Sequence, residues 1–229
     1  MAVKDYILEL FPSASQKQFS QLDLFYNLLV ETNKVMNLTS ITSYEEVYIK
    51  HFYDSLLLTK VIDINNKTLC DVGSGAGFPG IPLSIFTSAN ITIIDALQKR
   101  ISFLAGVIAK LELNNTKALH KRAEEYVKEV RSSFDVVTAR AVAKLNILAE
   151  LCLPLVKVGG YFVAMKGSNV EELEEASKAI NILGAKLINT YSFKLPLDMG
   201  SRNIFLFQKV MECPSKYPRS FAKIKSNPL

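Results

Sequence analysis

The 229-residue chain has no apolar run near the roughly 18 residues that a membrane-spanning helix needs. Its opening, Met1-Ala-Val-Lys-Asp-Tyr6, lacks the basic-then-apolar layout of a secretion signal. Cysteine is sparse: Cys70, Cys152 and Cys213 are too scattered for a disulfide framework or a zinc site. With only two histidines, no structural metal is expected, and the expected compartment is a reducing cytoplasm. A large excess of either charge is also missing, with 27 Lys and Arg against 22 Asp and Glu. The net +5 permits a polyanionic partner without requiring one. At 49% apolar the chain can bury a full core, as one domain with an appendage.

Glycine is scarce too, 10 in all, yet four stand at 73, 75, 77 and 80. They follow a short apolar run, Leu69 to Val72, that carries one acid, Asp71. A buried parallel strand reads this way when it ends in a loop passing close to a ligand. Glycine there accepts positive φ and has no Cβ to hold the backbone off the bound molecule. Pro79 and Pro82 suit the start of a helix, where a missing N–H costs little. A dinucleotide loop, G-x-G-x-x-G/A, counted from Gly73 would place Phe78 where a small residue is required. A phosphate loop would need a lysine after the glycines, and none follows. The remaining pattern, Asp71-Val-Gly-Ser-Gly-Ala-Gly77, resembles the cofactor loop of S-adenosylmethionine-dependent methyltransferases. The next strand-like run, Ile91 to Asp95, ends in an acid 24 residues after Asp71, placed to accept both ribose hydroxyls of an adenosine ligand. The alternative is a tight turn with no ligand.

Residues 1–65 read as helical, with Phe19, Leu22, Phe25, Leu28 and Leu29 forming an apolar stripe. Ser43 and Glu46 look like a capping box that opens a second helix. His51, Asp54 and Ser55 share a turn of that helix. Three neighbours on one turn cannot orient one another in series as a triad must, so they are expected to fix the helix against the cofactor domain. From Lys67 the pattern alternates, which predicts a parallel sheet with helices on both faces. Strands are expected at 68–72, 91–95, 116–120, 134–139, 160–166, 185–193 and 203–210, the last two as an antiparallel hairpin. Helices are expected near 80–87, 98–113, 123–131, 143–153 and 169–183, with Gly184 ending the last. The tail from Cys213 to Leu229 carries basic and aromatic residues, three prolines and no acid. It is expected to be extended, either as a solvated terminus or as an arm on RNA phosphates.

Over nearly its whole length the chain resembles the bacterial small-subunit ribosomal RNA guanine-N7 methyltransferases, the glucose-inhibited division protein B family. The matching segments are Met36-Asn-Leu-Thr-Ser40, His51-Phe-Tyr-Asp-Ser-Leu56, Asp71 to Leu83 and Asp95-Ala-Leu-Gln-Lys-Arg100. Arg122-Ala-Glu-Glu125, Ala139-Arg-Ala-Val-Ala143 and Lys166-Gly167 complete them. The resemblance implies an α/β, Rossmann-like class I methyltransferase sheet, seven-stranded and mostly parallel, with an N-terminal helical cap. It divides the chain into a helical extension (1–65), a methyltransferase domain (66–211) and a basic tail (212–229). Cofactor contacts are implied at Gly73, Gly75, Gly77, Phe78, Asp95, Ala123, Glu124 and Arg140, with Arg140 also at the reaction centre. RNA contacts are expected from Lys166, Lys216 and Arg219, with Lys34, Lys50 and Lys144 as further candidates. The implied partner of a monomeric enzyme is 16S ribosomal RNA or the small ribosomal subunit, at the guanine numbered 527.

Missing motifs narrow the reaction. Exocyclic amine methylation usually relies on Asn/Asp-Pro-Pro-aromatic after the fourth strand, where this chain has Thr138-Ala-Arg-Ala141. Pyrimidine C5 methylation needs a cysteine nucleophile, and Cys152 sits mid-helix among leucines. Guanine N7 presents an in-plane lone pair and no proton, so it needs orientation and no general base. A cation beside the developing positive charge would not help. Arg140 is therefore expected on the methionine carboxylate, an RNA phosphate or guanine O6, or else in a strand-end salt bridge. A methyltransferase acting on a small molecule or protein, and a binding module without turnover, are the competing readings.

Overall fold

The computed structural model describes residues 2–140, 143–167 and 171–229. Seven strands form one sheet: β1 Thr68–Val72, β2 Asn90–Asp95, β3 Thr116–His120, β4 Phe134–Arg140, β5 Val156–Lys166, β6 Ala185–Lys194 and β7 Ser201–Lys209. Their order is β3-β2-β1-β4-β5-β7-β6, with β7 antiparallel to both of its neighbours. The chain order reverses between β1 and β4, so the crevice beyond their carboxyl ends is where an open α/β sheet binds ligands. The strand alternation explains the layering. Leu69, Ile91, Ile93, Val136 and Val163 face one core, while Cys70, Val72, Val137, Phe162 and Ala164 face the other. Both faces are covered, so apolar residues run unbroken from Ile204 to Phe207 in β7.

The first layer holds α1 Val3–Leu10, α2 Gln16–Met36, α3 (residues 44–60), α4 Gly80–Phe86 and α5 Gln98–Lys110. The second holds α6 Ala123–Val130, α7 Leu145–Cys152, α8 Glu172–Ile182 and α9 Phe221–Ser226. The N-terminal helices share one continuous core with α4, α5 and the sheet. A reciprocal capping box starts α2: Gln18 N–H donates to Ser15 Oγ at 3.3 Å, and Ser15 N–H to Gln18 Oε1 at 2.8 Å. Asn37, at φ 47°, ends it in the left-handed region.

Four sequence expectations change. Ser43 and Glu46 do not make a capping box: the Ser43 hydroxyl donates to the Glu46 carboxylate at 2.9 Å and caps no backbone N–H. Inside α3, Val47–Tyr53 widens to a π turn, which no residue pattern announced. Strand β5 starts at Val156 instead of 160, because Gly159 (φ 85°) and a register shift against β4 carry the chain around a bulge. The tail is not extended. Cys213, Tyr217 and Ile224 are buried in the second core, and residues 221–226 are helical. Low apolar content misled because three anchors suffice when the surface they dock on already exists. The expected helix start at 169–170, and Ala141 with Val142, lie outside the described residues.

Arg219 locks the tail down. Its Nε and Nη2 donate to the fully buried Glu150 carboxylate at 2.9 and 2.6 Å, and its backbone N–H adds a third bond at 2.8 Å. Removing one partner of a buried pair leaves an uncompensated charge. Arg219→Ala is expected to lower unfolding free energy by about 3 kcal/mol, whereas the exposed Lys216→Ala should stay within about 0.5 kcal/mol. Denaturant titration of both variants checks this, and equal effects would mean the pair does not anchor the tail.

Candidate active site

Beyond β1 the glycine loop bends under Asp71. This carboxylate is fully buried; its Oδ2 accepts from the Ser74 hydroxyl and from Gly80 N–H at 2.8 Å. A Cβ on Gly80 would stand 2.8 Å from that oxygen, so only glycine fits there. Burial pushes Asp71 up to about 6, against the pull of its Ser74 and Gly80 hydrogen bonds. The second acid, Asp95, ends β2. Its Oδ2 accepts from Gly75 N–H at 3.1 Å and Arg100 at 3.2 Å, and its Oδ1 from Leu97 N–H at 2.9 Å. Asp95 therefore ties the loop to its own turn. Its Oδ1 has room for one further donor, and a second requires Arg100 to yield.

These elements enclose a cavity of about 470 Å³ lined by Gly73, Gly75, Phe78, Asp95 and Arg140. Gly75, at φ 62°, has nothing within 4 Å of where a Cβ would stand, which leaves an open cradle on the cavity floor. The lip comes from the N-terminal helices: Leu38 and Thr39 line the cavity, held by Asn33 Oδ1, which accepts from their N–H groups at 2.6 and 2.9 Å.

One wall is a packed set of side chains. Asp54 Oδ2, on α3, accepts from Arg140 Nη1 at 2.8 Å and from Arg202 Nε at 3.0 Å. Arg140 also donates to the Lys50 carbonyl at 3.0 Å and to His51 Nδ1 at 2.9 Å. Phe78 stacks on His51 with centroids 4.4 Å apart, and the Arg140 guanidinium lies 5.1 Å from the same ring. His51 Nδ1 lies 2.9 Å from Arg140 Nη2 and 3.2 Å from the Lys50 carbonyl; because arginine can only donate, we assign Nδ1 as the acceptor of the shorter contact and the proton to Nε2, facing Thr39 Oγ1 at 3.0 Å. Burial and the charge of Arg140 hold His51 down at about 3. Burial also lowers Arg140, with Asp54 opposing.

Four of these side chains, His51, Asp54, Arg140 and Arg202, border a second cavity of about 460 Å³, lined also by Ile41, Met165, Lys166 and Glu172. His51 and Arg140 line both cavities.

The predicted residues divide accordingly. Gly73, Gly75, Phe78, Asp95 and Arg140 meet at the first cavity, whereas Gly77 packs beneath it, where a Cβ would press on Ile81 and Leu104 at 2.8 Å. Ala123 and Glu124 form the first turn of α6 and line neither cavity. Lys166 reaches the second cavity paired to Glu172 at 2.7 Å. Arg219 is committed to Glu150, and Lys216 lies over Tyr217, both away from the cavities. The helix-fixing reading of His51 and Asp54 holds, since both dock α3 on β4, while Ser55 bonds only the His51 carbonyl. The role of His51 and Asp54 as cavity lining went unread, as did Leu38 and Thr39. The Asn-Leu-Thr-Ser segment was the available signal. Cys152 is fully buried with its thiol pushed up by burial, so it is no nucleophile.

The His51 shift has a sign. Below about pH 6.5 the unfolded chain takes a proton that folded His51 refuses until about pH 3. Stability is therefore fully present above that window and is lost as pH falls through it. His51→Gln should flatten the acid limb of the stability curve by up to about 1.4 kcal/mol per pH unit between pH 6 and 4. Urea unfolding of both proteins over that range checks it, and parallel curves would refute the burial of a neutral imidazole.

The model of the rRNA small subunit methyltransferase G family (GidB) matches residues 18–204. The chain is 49% identical over 222 residues to the "Ribosomal RNA small subunit methyltransferase G" of Bacillus subtilis, covering 95% of this chain and 93% of that protein. It is 50% identical to the protein of the same name from Staphylococcus aureus, covering 99% and 95%. Among solved structures it is similar to a precorrin-6y C5,15-methyltransferase from Geobacter metallireducens (TM-score 0.54, 14% identity, 76% of this chain and 92% of that one). It is also similar to TYW2 of M. jannaschii in complex with AdoMet (TM-score 0.51, 19% identity, 68% and 76%). These likenesses show the class I methyltransferase fold, and the chain belongs to the rRNA small subunit methyltransferase G family.

Proposed function

We propose that this chain transfers a methyl group from S-adenosylmethionine to N7 of a guanine in 16S ribosomal RNA, the guanine numbered 527 in the family it resembles. The observation that carries the reading is the pair of cavities meeting at one wall of His51 and Arg140. A donor in one cavity and a base in the other would both lie against these two side chains, and transfer requires that they meet directly beside them. The residues fit the donor: a side-chain-free cradle at Gly75, an acid at Asp95 for a ribose hydroxyl, and about 470 Å³ of space. When bound, the sulfonium supplies an electrophilic methyl.

The chain's part is orientation and electrostatics. N7 attacks through its lone pair as the carbon–sulfur bond breaks, and no proton leaves the base, so no general base is required. His51, neutral and bonded on both nitrogens, is held as a wall and has no proton-transfer work to do. The methylated purine gains a positive charge, which a bare arginine would oppose. Asp54, 2.8 Å from Arg140 and 3.0 Å from Arg202, offsets one of their two positive charges and so lessens that opposition. Pre-positioning can contribute roughly 7–11 kcal/mol to barrier lowering in favourable cases. For RNA phosphates, the exposed Lys216, Lys223 and Lys225 of the tail remain unpaired by acids among the described residues, unlike Lys166 and Arg219.

Offering labelled cofactor to small ribosomal subunits, free ribosomal RNA and bulk protein, then mapping the product by mass, tests the assignment. Label is expected on one 16S guanine at N7, and label confined to protein or to no substrate overturns it. Asp95→Ala should weaken cofactor binding by roughly 1.5–3 kcal/mol, about ten- to a hundredfold. Gly75→Ala should cost roughly 1–2 kcal/mol of stability from its left-handed backbone and lower cofactor affinity by filling the cradle. Calorimetry showing native affinity in both would displace the cofactor from this cavity.

A further inference from the structure

The donor side accounts for the first cavity, but nothing so far says how the second would tell guanine from the other bases. Two carboxylates line it among the described residues, Asp54 and Glu172. Asp54 stands at the wall. Its Oδ2 is shared by two arginines, and its Oδ1 is sealed from solvent without a partner. Glu172 stands on the far side, in the first turn of α8. Its Oε2 is pinned by Leu145 N–H at 2.9 Å and by Lys166 Nζ at 2.7 Å. Its Oε1 takes no hydrogen bond from the described residues, and about a fifth of the side chain is open to solvent. Lysine and backbone together therefore fix the carboxylate through Oε2, with Oε1 unclaimed among the described residues.

The sheet brings the two sides to one cavity. Arg140 ends β4, and Lys166 ends the adjacent β5. Arg140 pairs with Met165 across β4 and β5, so the wall and the Lys166–Glu172 pair come from adjacent strand ends and line one cavity. A purine with its N7 edge beside His51 and Arg140 turns its Watson–Crick edge away from them, and Glu172 is the other carboxylate among the described lining residues. Ile41 and Met165 offer apolar surfaces for the ring faces, and Gly167 has no atom within 4 Å of a would-be Cβ, which leaves room beside them.

Resting on the rRNA reading above, we propose that Glu172 is a specificity-determining residue that selects guanine by accepting hydrogen bonds from its N1–H and N2 amine. An ionised carboxylate only accepts. Guanine presents two adjacent donors on that edge, whereas adenine presents a lone pair at N1, which the carboxylate repels. The same contact favours the reaction. Methylation at N7 leaves the ring cationic and strengthens N1–H as a donor, so the bond to Glu172 tightens as the charge develops. The effect therefore belongs in kcat as well as in KM.

The test compares small subunits carrying guanosine or inosine, which lacks the N2 amine, at the methylated position. Labelled-methyl transfer is measured with the wild-type chain, Glu172→Gln and Lys166→Met, and cofactor affinity is followed by calorimetry. Wild type is expected to favour guanosine by at least about tenfold in kcat/KM, the size of a lost charge-assisted bond. Glu172→Gln should bring that ratio to within about threefold, with kcat on guanosine falling by about tenfold or more and cofactor affinity held within about twofold. Lys166→Met keeps the carboxylate and its Leu145 N–H bond, so it should retain clearly more of the discrimination than Glu172→Gln even if it slows turnover. A ratio preserved in Glu172→Gln, or lost equally in Lys166→Met, makes the pair structural and overturns the proposal. Should Glu172→Gln fail to fold, wild type alone decides: equal use of guanosine and inosine overturns it. Transfer without discrimination removes only the role of Glu172, while no transfer to either subunit removes the rRNA reading along with it.

Discussion

One carboxylate oxygen holds three distant segments in place. Asp54 Oδ2 joins α3 to the end of β4 through Arg140 and to the start of β7 through Arg202. Isolated buried ion pairs are weak sources of net stability, because desolvation offsets much of the attraction. The consequence here is geometric. With Nη1 claimed by Asp54 and the Lys50 carbonyl, the guanidinium plane is set, and Nη2 must meet His51. His51 in turn fixes Thr39 and stacks on Phe78, so the wall, the lip and the loop share one set of contacts.

The charges of the site follow a matching logic. Asp71 lies beneath the loop and Asp54 behind the wall, each largely cut off from solvent, yet their surroundings differ. Asp71 meets a hydroxyl and one backbone N–H, and burial pushes it up to about 6. Asp54 meets two guanidinium groups. The first shapes backbone, since Gly80 can approach it only without a Cβ. The second lies between the guanidinium groups of Arg140 and Arg202 and offsets one of their two charges. A chemistry that moves no proton calls for rigid placement above all, and both carboxylates supply it, one beneath the loop and one in the wall.

Much of the sheet was legible in sequence because both of its faces are buried. Runs such as Ile91–Asp95 and Phe134–Ala139 have one reading at that length, and their bounds move by a residue at most. The glycine loop and Asp95 were legible because a close backbone approach leaves a residue-type signature. The second cavity was not. Its lining comes from α3, β4, β5, α8 and β7, segments up to 148 residues apart at the Asp54–Arg202 contact, and no local spacing encodes that. Lys166 and Arg219 were read as free cations because sequence shows charge but not partners; Glu172 and Glu150 claim them. The π turn at 47–53 was invisible for a similar reason, since it is imposed by tertiary packing and no residue within it demands it.

The N-terminal helices cannot be treated as a lid laid over a finished cavity. Leu38, Thr39 and His51 line the first cavity, Ile41 and Asp54 the second, and all five come from the first 54 residues. Those helices also share a core with α4 and α5. A ligand that requires the assembled cavity must stabilise that assembly, by about 2.7 kcal/mol at a concentration one hundred times its Kd. Binding on the glycine loop and docking of α3 are thus two readings of one equilibrium. The second cavity shares His51 and Arg140 with the first, so on the proposed reading a ligand in one braces the lining of the other.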